Sequence, residues 1–97
     1  MIVLFGEDSQ YPHGVSAPQN LVENDVVLID TGCQLHGYIS DITRTYVYGT
    51  PSERHKEIWN LEQATQKAAF NAAQLGKTCG SVDDAARKIL ENAGLGP

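Results

Sequence analysis

The sequence predicts an α+β fold, in which an antiparallel hairpin sheet comes first and is covered by two helices that follow it. Residues 26–30 form a β-branched apolar run, and residues 38–49 alternate β-branched or aromatic side chains with polar ones, as half-buried strands do. Beyond Gly49 the apolar residues recur at helical spacing instead. Strands followed by helices are typical of the α+β class.

The strand region divides into three predicted strands. The run "IVLFG" predicts a first strand that ends at Gly6, and a long loop follows because proline and glycine interrupt regular structure. The runs "VVLID" and "YISDITRTYVYG" predict two further strands, which "TGCQLHG" joins as a hairpin. We place the turn at Leu35–His36, which predicts that Asp30 lies directly opposite Asp41.

The first predicted helix begins with a capping box. Thr50 is the predicted N-cap, Pro51 occupies the first helical position and Glu53 completes the box. The helix is expected to run to about Leu75 and to stop at Gly76. Its apolar stripe consists of Ile58, Leu61, Ala64 or Thr65, Ala68, Ala72 and Leu75.

The second predicted helix repeats this pattern. Ser81 is its predicted N-cap, Asp84 occupies the third helical position, and Gly94 is the left-handed residue at the C-terminus. Its apolar stripe consists of Val82, Ala85, Ala86, Ile89, Leu90 and Ala93. Both helices are expected to serve as scaffold.

Composition limits the classes of function. A length of 97 residues allows one domain or part of one. A net charge of −5 with 7 Lys and Arg argues against a nucleic-acid surface, since basic groups supply that affinity. No apolar run approaches the ~20 residues of a membrane span, and the N-terminus lacks the basic region of a secretory signal. Cys33 and Cys79 are expected to be free thiols in the cytoplasm.

The predicted opposition of Asp30 and Asp41 needs an explanation. Like charges directly opposed on neighbouring strands destabilise a sheet, so either one carboxyl is protonated or a cation lies between the two. Carboxylate oxygens are ligands for hard divalent ions, which makes a metal site one interpretation. In the alternative, Asp30 accepts hydrogen bonds from turn amides and Asp41 is a solvated outward side chain.

Two other interpretations include Asp30. The run "VVLIDTG" and the short chain fit a retroviral-type aspartic protease, but such proteases are nearly all β and this sequence continues into two capped helices. Cys33 and His36 with Asp30 would make a zinc site, yet no second thiol is near in sequence. Both remain subordinate alternatives.

Three segments carry a family resemblance: "GEDSQYPHG", "VVLIDTGCQLHGYISDITRTY" and "GKTCGSVDDAARKILENAGLG". They resemble the catalytic domain of Xaa-Pro peptidases, the prolidases and proline aminopeptidases of the methionine-aminopeptidase-like, or pita-bread, superfamily. The resemblance covers essentially the whole chain. It implies a metal-dependent exopeptidase that hydrolyses Xaa-Pro bonds in short proline-containing peptides, in the cytoplasm.

The resemblance also implies the roles of individual residues. Asp30 resembles the first aspartate ligand of a dinuclear metal centre, and Asp41 resembles the aspartate that bridges both ions. Manganese is the expected metal, with cobalt or zinc as alternatives. His13, in "PHG", resembles the catalytic histidine that stabilises the reacting carbonyl. Thr43 is expected to lie beside the metal ligands as a supporting neighbour.

The sequence departs from the family pattern after its first half. The family completes its centre with a histidine and two glutamates, and no residue here occupies a matching context. Residues 1–97 are therefore interpreted as the first half of a pita-bread domain, inactive alone, whose unfinished sheet would favour a homo-oligomer. The alternative function is a non-catalytic pita-bread binding module.

Overall fold

The computed structural model describes residues 1–96, which divide into two compact units, Met1–Pro51 and a second that begins at Ser52. Among these residues the first unit contains five strands: β1 (Ile2–Phe5), β2 (Val26–Thr31), β3 (Gln34–Leu35), β4 (Tyr38–Ile39) and β5 (Ile42–Val47). A short 3-10 helix, Gly6–Gln10, follows β1. The second unit contains α1 (Glu53–Ala72) and α2 (Cys79–Asn92). The predicted order of strands and then helices is confirmed.

The strands form one antiparallel sheet and one ribbon. The sheet has the order β1-β2-β5, so β2 is its central strand. Strands β3 and β4 form a two-stranded ribbon that continues the β2–β5 hairpin to its tip. Leu4 of β1 faces Leu28 of β2 and is only 3% exposed, which makes it the core residue of the unit.

The observed register of the hairpin differs from the predicted register by two residues. Asp30 lies opposite Thr43, not Asp41, and the same register continues through β3 and β4. The turn is therefore centred on His36–Gly37, with φ of +51° and +84°. A two-residue turn of this kind needs positive φ at both central residues, which suits Gly37 and would strain Leu35.

Helix α1 begins two residues later than predicted. Ser52 is its N-cap, and the Ser52 hydroxyl accepts a hydrogen bond from the His55 amide at 3.1 Å. Nδ1 of His55 in turn accepts from the Ser52 amide at 3.2 Å, so the capping box uses Ser52 and His55 in place of Thr50 and Glu53. The helix ends at Ala72, because Ala73 has already left helical geometry.

Helix α2 begins three residues earlier than predicted. Thr78 is the N-cap, and its hydroxyl accepts from the amide of Ser81, which occupies the third helical position. Gly94 has φ of +75°, as predicted. The Leu95 amide donates to the Leu90 carbonyl and the Gly94 amide to the Glu91 carbonyl, the two hydrogen bonds of a Schellman motif.

The helical stripes agree with prediction except at Leu75, which lies beyond the end of α1 and is fully exposed, and at Ala93, which is exposed. On α1 the less exposed residues are His55, Ile58, Leu61, Thr65, Ala68, Ala69 and Ala72, and on α2 they are Ser81, Val82, Ala85, Ala86, Ile89 and Leu90. Thr65 takes the buried position rather than Ala64, and its hydroxyl donates to the Leu61 carbonyl. Within residues 1–96, no helix combines the length and apolar character required to cross a membrane.

Candidate metal centre

Asp30 lies near the end of the central strand. The β-branched apolar run before it favours an extended backbone, and pairing on both edges fixes that backbone in place. Its register partners are Ile2 on β1 and Thr43 on β5. The half-buried side chain therefore projects from the most constrained strand of the sheet, as a metal ligand requires.

Asp41 immediately precedes β5, where the hairpin narrows. A Cβ atom added to Gly32 would lie 2.0 Å from the carbonyl oxygen of Ser40, a backbone atom that cannot move aside. The Ser40 amide donates to the Cys33 carbonyl at 2.9 Å, and the Ser40 hydroxyl accepts from the Cys33 amide at 3.1 Å. Only glycine fits at position 32, because the two chain segments approach so closely there.

Both acidic side chains border one shallow depression of about 250 Å³. Its other lining residues are Met1, Ile2, Thr31, Gly32, Ile39 and Ser40. A larger depression on α1 is lined by Asn60, Gln63, Ala64, Gln66, Lys67 and Phe70. Its one charged residue is Lys67, a cation. The depression that carries Asp30 and Asp41 is thus the one whose chemistry suits a metal ion.

The donor set fits a divalent metal only in part. Two carboxylates supply the hard oxygen ligands that such ions take, but a complete shell contains four to six or more ligands. Across residues 1–96, no group of three or more His, Cys, Asp or Glu side chains is arranged to hold a metal ion. Cys33 and His36 consequently do not join Asp30 in a zinc site within this part of the chain.

His13 lies in a tight turn of the loop that follows the 3-10 helix. The Gly14 amide donates to the Tyr11 carbonyl at 2.9 Å, and Gly14 has φ of +81°. A Cβ atom added to Gly14 would lie 3.7 Å from Cγ2 of Ile2, which is ordinary van der Waals contact. Because Ile2 is paired with Asp30, the backbone next to His13 passes close to the strand beside the candidate ligand.

Thr43 and Arg44 lie on opposite faces of β5. Thr43 is paired with Asp30, whereas Arg44 is paired with Ile29 and points to the other side. The Arg44 guanidinium donates to the Thr43 carbonyl at 2.8 Å. Arg44 forms no salt bridge with any residue of 1–96.

Two residues that shape this region were not predicted from the sequence. Gly37 could have been identified, since a glycine at the second central position of a two-residue hairpin loop is typical of the turn. The side chain of Gln19 binds the end of β1. This contact could not have been predicted, because a glutamine in a loop indicates no particular partner.

The whole sequence, residues 1–97, matches the model of metallopeptidase family M24. An Xaa-Pro dipeptidase of Pyrococcus furiosus is 40% identical over 95 residues, which cover 98% of this chain and 27% of that protein. An Xaa-Pro dipeptidase of Lactobacillus delbrueckii is 38% identical, with coverage of 98% and 26%. The class defined by fold and site is therefore that of the metallopeptidases.

Solved structures agree with this class. The prolidase from Pyrococcus furiosus superimposes with a TM-score of 0.88 at 40% identity, covering 96% of this chain and 28% of that one. The X-Pro aminopeptidase from Thermotoga maritima gives 0.87 at 33% identity, with coverage of 96% and 26%. The chain belongs to metallopeptidase family M24, and its fold is the N-terminal part of the pita-bread domain of prolidases. It spans about a quarter of the length of these relatives.

Proposed function

We propose that this chain forms part of a metal-dependent exopeptidase that hydrolyses Xaa-Pro bonds in short peptides. The observation that carries the proposal is that Asp30 and Asp41 border one depression, in a chain 40% identical to an Xaa-Pro dipeptidase. The family is one of metallopeptidases, which supports a role for these carboxylates in binding divalent ions. Manganese is the proposed metal, with cobalt or zinc as alternatives.

Each candidate residue has a separate task in this proposal. Asp30, held at the end of β2, would bind one ion, and Asp41 would bridge two. When bound, such a pair of ions activates water and polarises the scissile carbonyl. His13 would donate a hydrogen bond to the carbonyl oxygen as negative charge develops there. Thr43, opposite Asp30, would orient that carboxylate through its hydroxyl group.

The remaining ligands are proposed to come from outside residues 1–97. Two carboxylates leave most positions of a coordination shell to water, so an ion held by them alone binds weakly. We use the term complete enzyme for this chain joined to a further part that supplies those ligands. A cytoplasmic location and a homo-oligomeric state remain predictions.

The test uses Ala-Pro and Ala-Ala dipeptides with the complete enzyme. We expect hydrolysis of Ala-Pro in preference to Ala-Ala, loss of activity when a chelator removes the metal, and recovery when manganese is added back. Activity that persists after metal removal, verified by elemental analysis, would exclude a metallopeptidase. Metal binding without hydrolysis of either peptide would instead support the non-catalytic binding module.

A further inference from the structure

The side chain of Gln19 binds the backbone at the end of β1. Oε1 of Gln19 accepts a hydrogen bond from the Phe5 amide at 3.1 Å, and Nε2 donates to the Phe5 carbonyl at 3.1 Å. Phe5 is the last residue of an edge strand, so one amide side chain satisfies both of its free backbone groups. The orientation of the amide follows from these partners, since exchanging O and N would break both hydrogen bonds.

The same amide also reaches the 3-10 helix. Nε2 of Gln19 donates to Oδ2 of Asp8, and the carbonyl oxygen of Asp8 accepts from the Tyr11 amide at 3.1 Å. Both ends of the segment 11–19, which we name the His13 segment, are therefore bound to Asp8. A segment closed at both ends has fewer conformations available than one attached at a single end.

The His13 segment passes close to the candidate site. A Cβ atom added to Gly14 would lie 3.7 Å from Cγ2 of Ile2, which lines the depression and whose register partner is the proposed ligand Asp30. His13 is itself exposed, and its only neighbouring constraint within the segment is the Tyr11–Gly14 turn. The position of His13 relative to β1 therefore depends on how firmly the segment is held at its two ends.

We propose that Gln19 is a positioning residue that closes the His13 segment against β1 and the 3-10 helix, and so holds His13 where the substrate carbonyl is bound. This inference rests on the proposed function, because it assigns Gln19 an effect through His13. A histidine that stabilises a transition state must be held in place before the reaction, since even small displacements reduce the rate.

A double-mutant cycle in the complete enzyme tests this inference. Gln19→Ala should lower kcat for Ala-Pro about tenfold with little change in KM or in metal content, because His13 acts in the transition state. In the His13→Ala background, the same substitution should change kcat by less than about twofold. Equal effects of Gln19→Ala in both backgrounds would overturn the proposal, because they would reveal a purely structural role.

Hydrogen exchange supplies a readout that does not depend on activity. The Tyr11 and Gly14 amides should exchange at least several times faster in Gln19→Ala than in the wild type. Asn20→Ala is the matched control, because Asn20 is the exposed neighbour and its side chain forms no hydrogen bond with residues 1–96. Unchanged exchange in Gln19→Ala would overturn the proposal. If the wild type does not hydrolyse Ala-Pro, the proposed function fails, while exchange still decides whether Gln19 holds the segment.

Discussion

Asp30 and Thr43 lie directly opposite each other on β2 and β5. Directly opposed side chains of antiparallel strands are separated by roughly 4.5–5.5 Å at Cβ, which places the threonine side chain beside the carboxylate. The position of Thr43 beside the proposed ligand Asp30 is thus fixed by backbone pairing and not by a flexible loop. This relationship gives the first prediction.

Thr43→Val should weaken metal binding in the complete enzyme. Valine keeps the size and β-branched shape of threonine but lacks the hydroxyl proposed to orient Asp30, and loss of such a supporting group typically lowers metal affinity about 10- to 100-fold. Metal titration by calorimetry measures the change. Thr45→Val is the control, because Thr45 faces Leu28 on the same side of the same strand. Equal weakening in both variants would contradict a specific role for Thr43.

Asp41→Asn and His13→Ala should separate metal binding from turnover. An amide bridges two cations poorly, so Asp41→Asn is expected to lower metal content and to abolish hydrolysis of Ala-Pro by the complete enzyme. His13→Ala should retain the metals and lose about 10²–10³-fold in kcat, the usual effect of removing one donor to a developing negative charge. Elemental analysis and steady-state kinetics provide the two measurements. Similar metal loss in both variants would show that the roles are assigned wrongly.

Gly32→Ala should destabilise the hairpin. The added Cβ atom would meet the Ser40 carbonyl oxygen at 2.0 Å, so the strands must separate, and overpacking of this kind costs about 1–3 kcal/mol. Urea denaturation of the 97-residue chain measures the loss. Gly80→Ala is the control, because no atom lies within 4 Å of its Cβ position in α2 and alanine favours the helix. A Gly32→Ala variant as stable as the wild type would contradict the close approach.

Ser52→Ala should destabilise α1 by about 1 kcal/mol, because the His55 amide loses its hydrogen-bond acceptor at the helix N-terminus. Thr50→Ala is the matched control and should have little effect, although the sequence places the cap at Thr50. Thermal unfolding of both variants decides between the two positions. A larger loss for Thr50→Ala would restore the cap predicted from sequence.

The 97-residue chain alone should be catalytically silent and should bind manganese weakly. Water would occupy most of the coordination positions of an ion bound by two carboxylates. Without the remaining protein ligands, neither the spacing of two ions nor the acidity of their bound water is fixed, so the nucleophile is not formed at neutral pH. Calorimetric titration with manganese, together with an Ala-Pro assay, tests both statements. Tight binding of two ions with turnover would reveal a self-sufficient site, assembled for example across a dimer.

The sequence predicted which helices and strands form better than the residues at which the helices begin and the strands pair. The apolar stripe of α2, except for the exposed Ala93, and the left-handed Gly94 were correctly predicted. Helical periodicity and a glycine after a helix each favour one structure strongly. The α1 cap was not, since Thr50 and Ser52 are both suitable hydroxyls two positions apart. Only the contacts of Ser52 with His55 distinguish them.

For the candidate site, too, the exact register was not predicted from the sequence. The sequence proposes the two aspartates, but the register that sets their spacing depends on the turn, which is centred on His36–Gly37 and not on the predicted Leu35–His36. Positive φ at both turn residues favours His36–Gly37, since leucine adopts it rarely. The contacts of Gln19 join residues 11 and 14 positions apart through one side chain, and no periodic pattern encodes them.

The His36–Gly37 turn determines where this hairpin can change length during evolution. Residues inserted between His36 and Gly37 leave every pair from Thr31–Ile42 to Leu35–Tyr38 intact, so the two acids keep their relative placement. A single residue inserted into one arm, between Ser40 and Asp41 for example, would turn the following side chains to the other face, since strands alternate with a period of two. Lineages can therefore diverge in length at the tip of the hairpin, while each arm is constrained to its present number of residues.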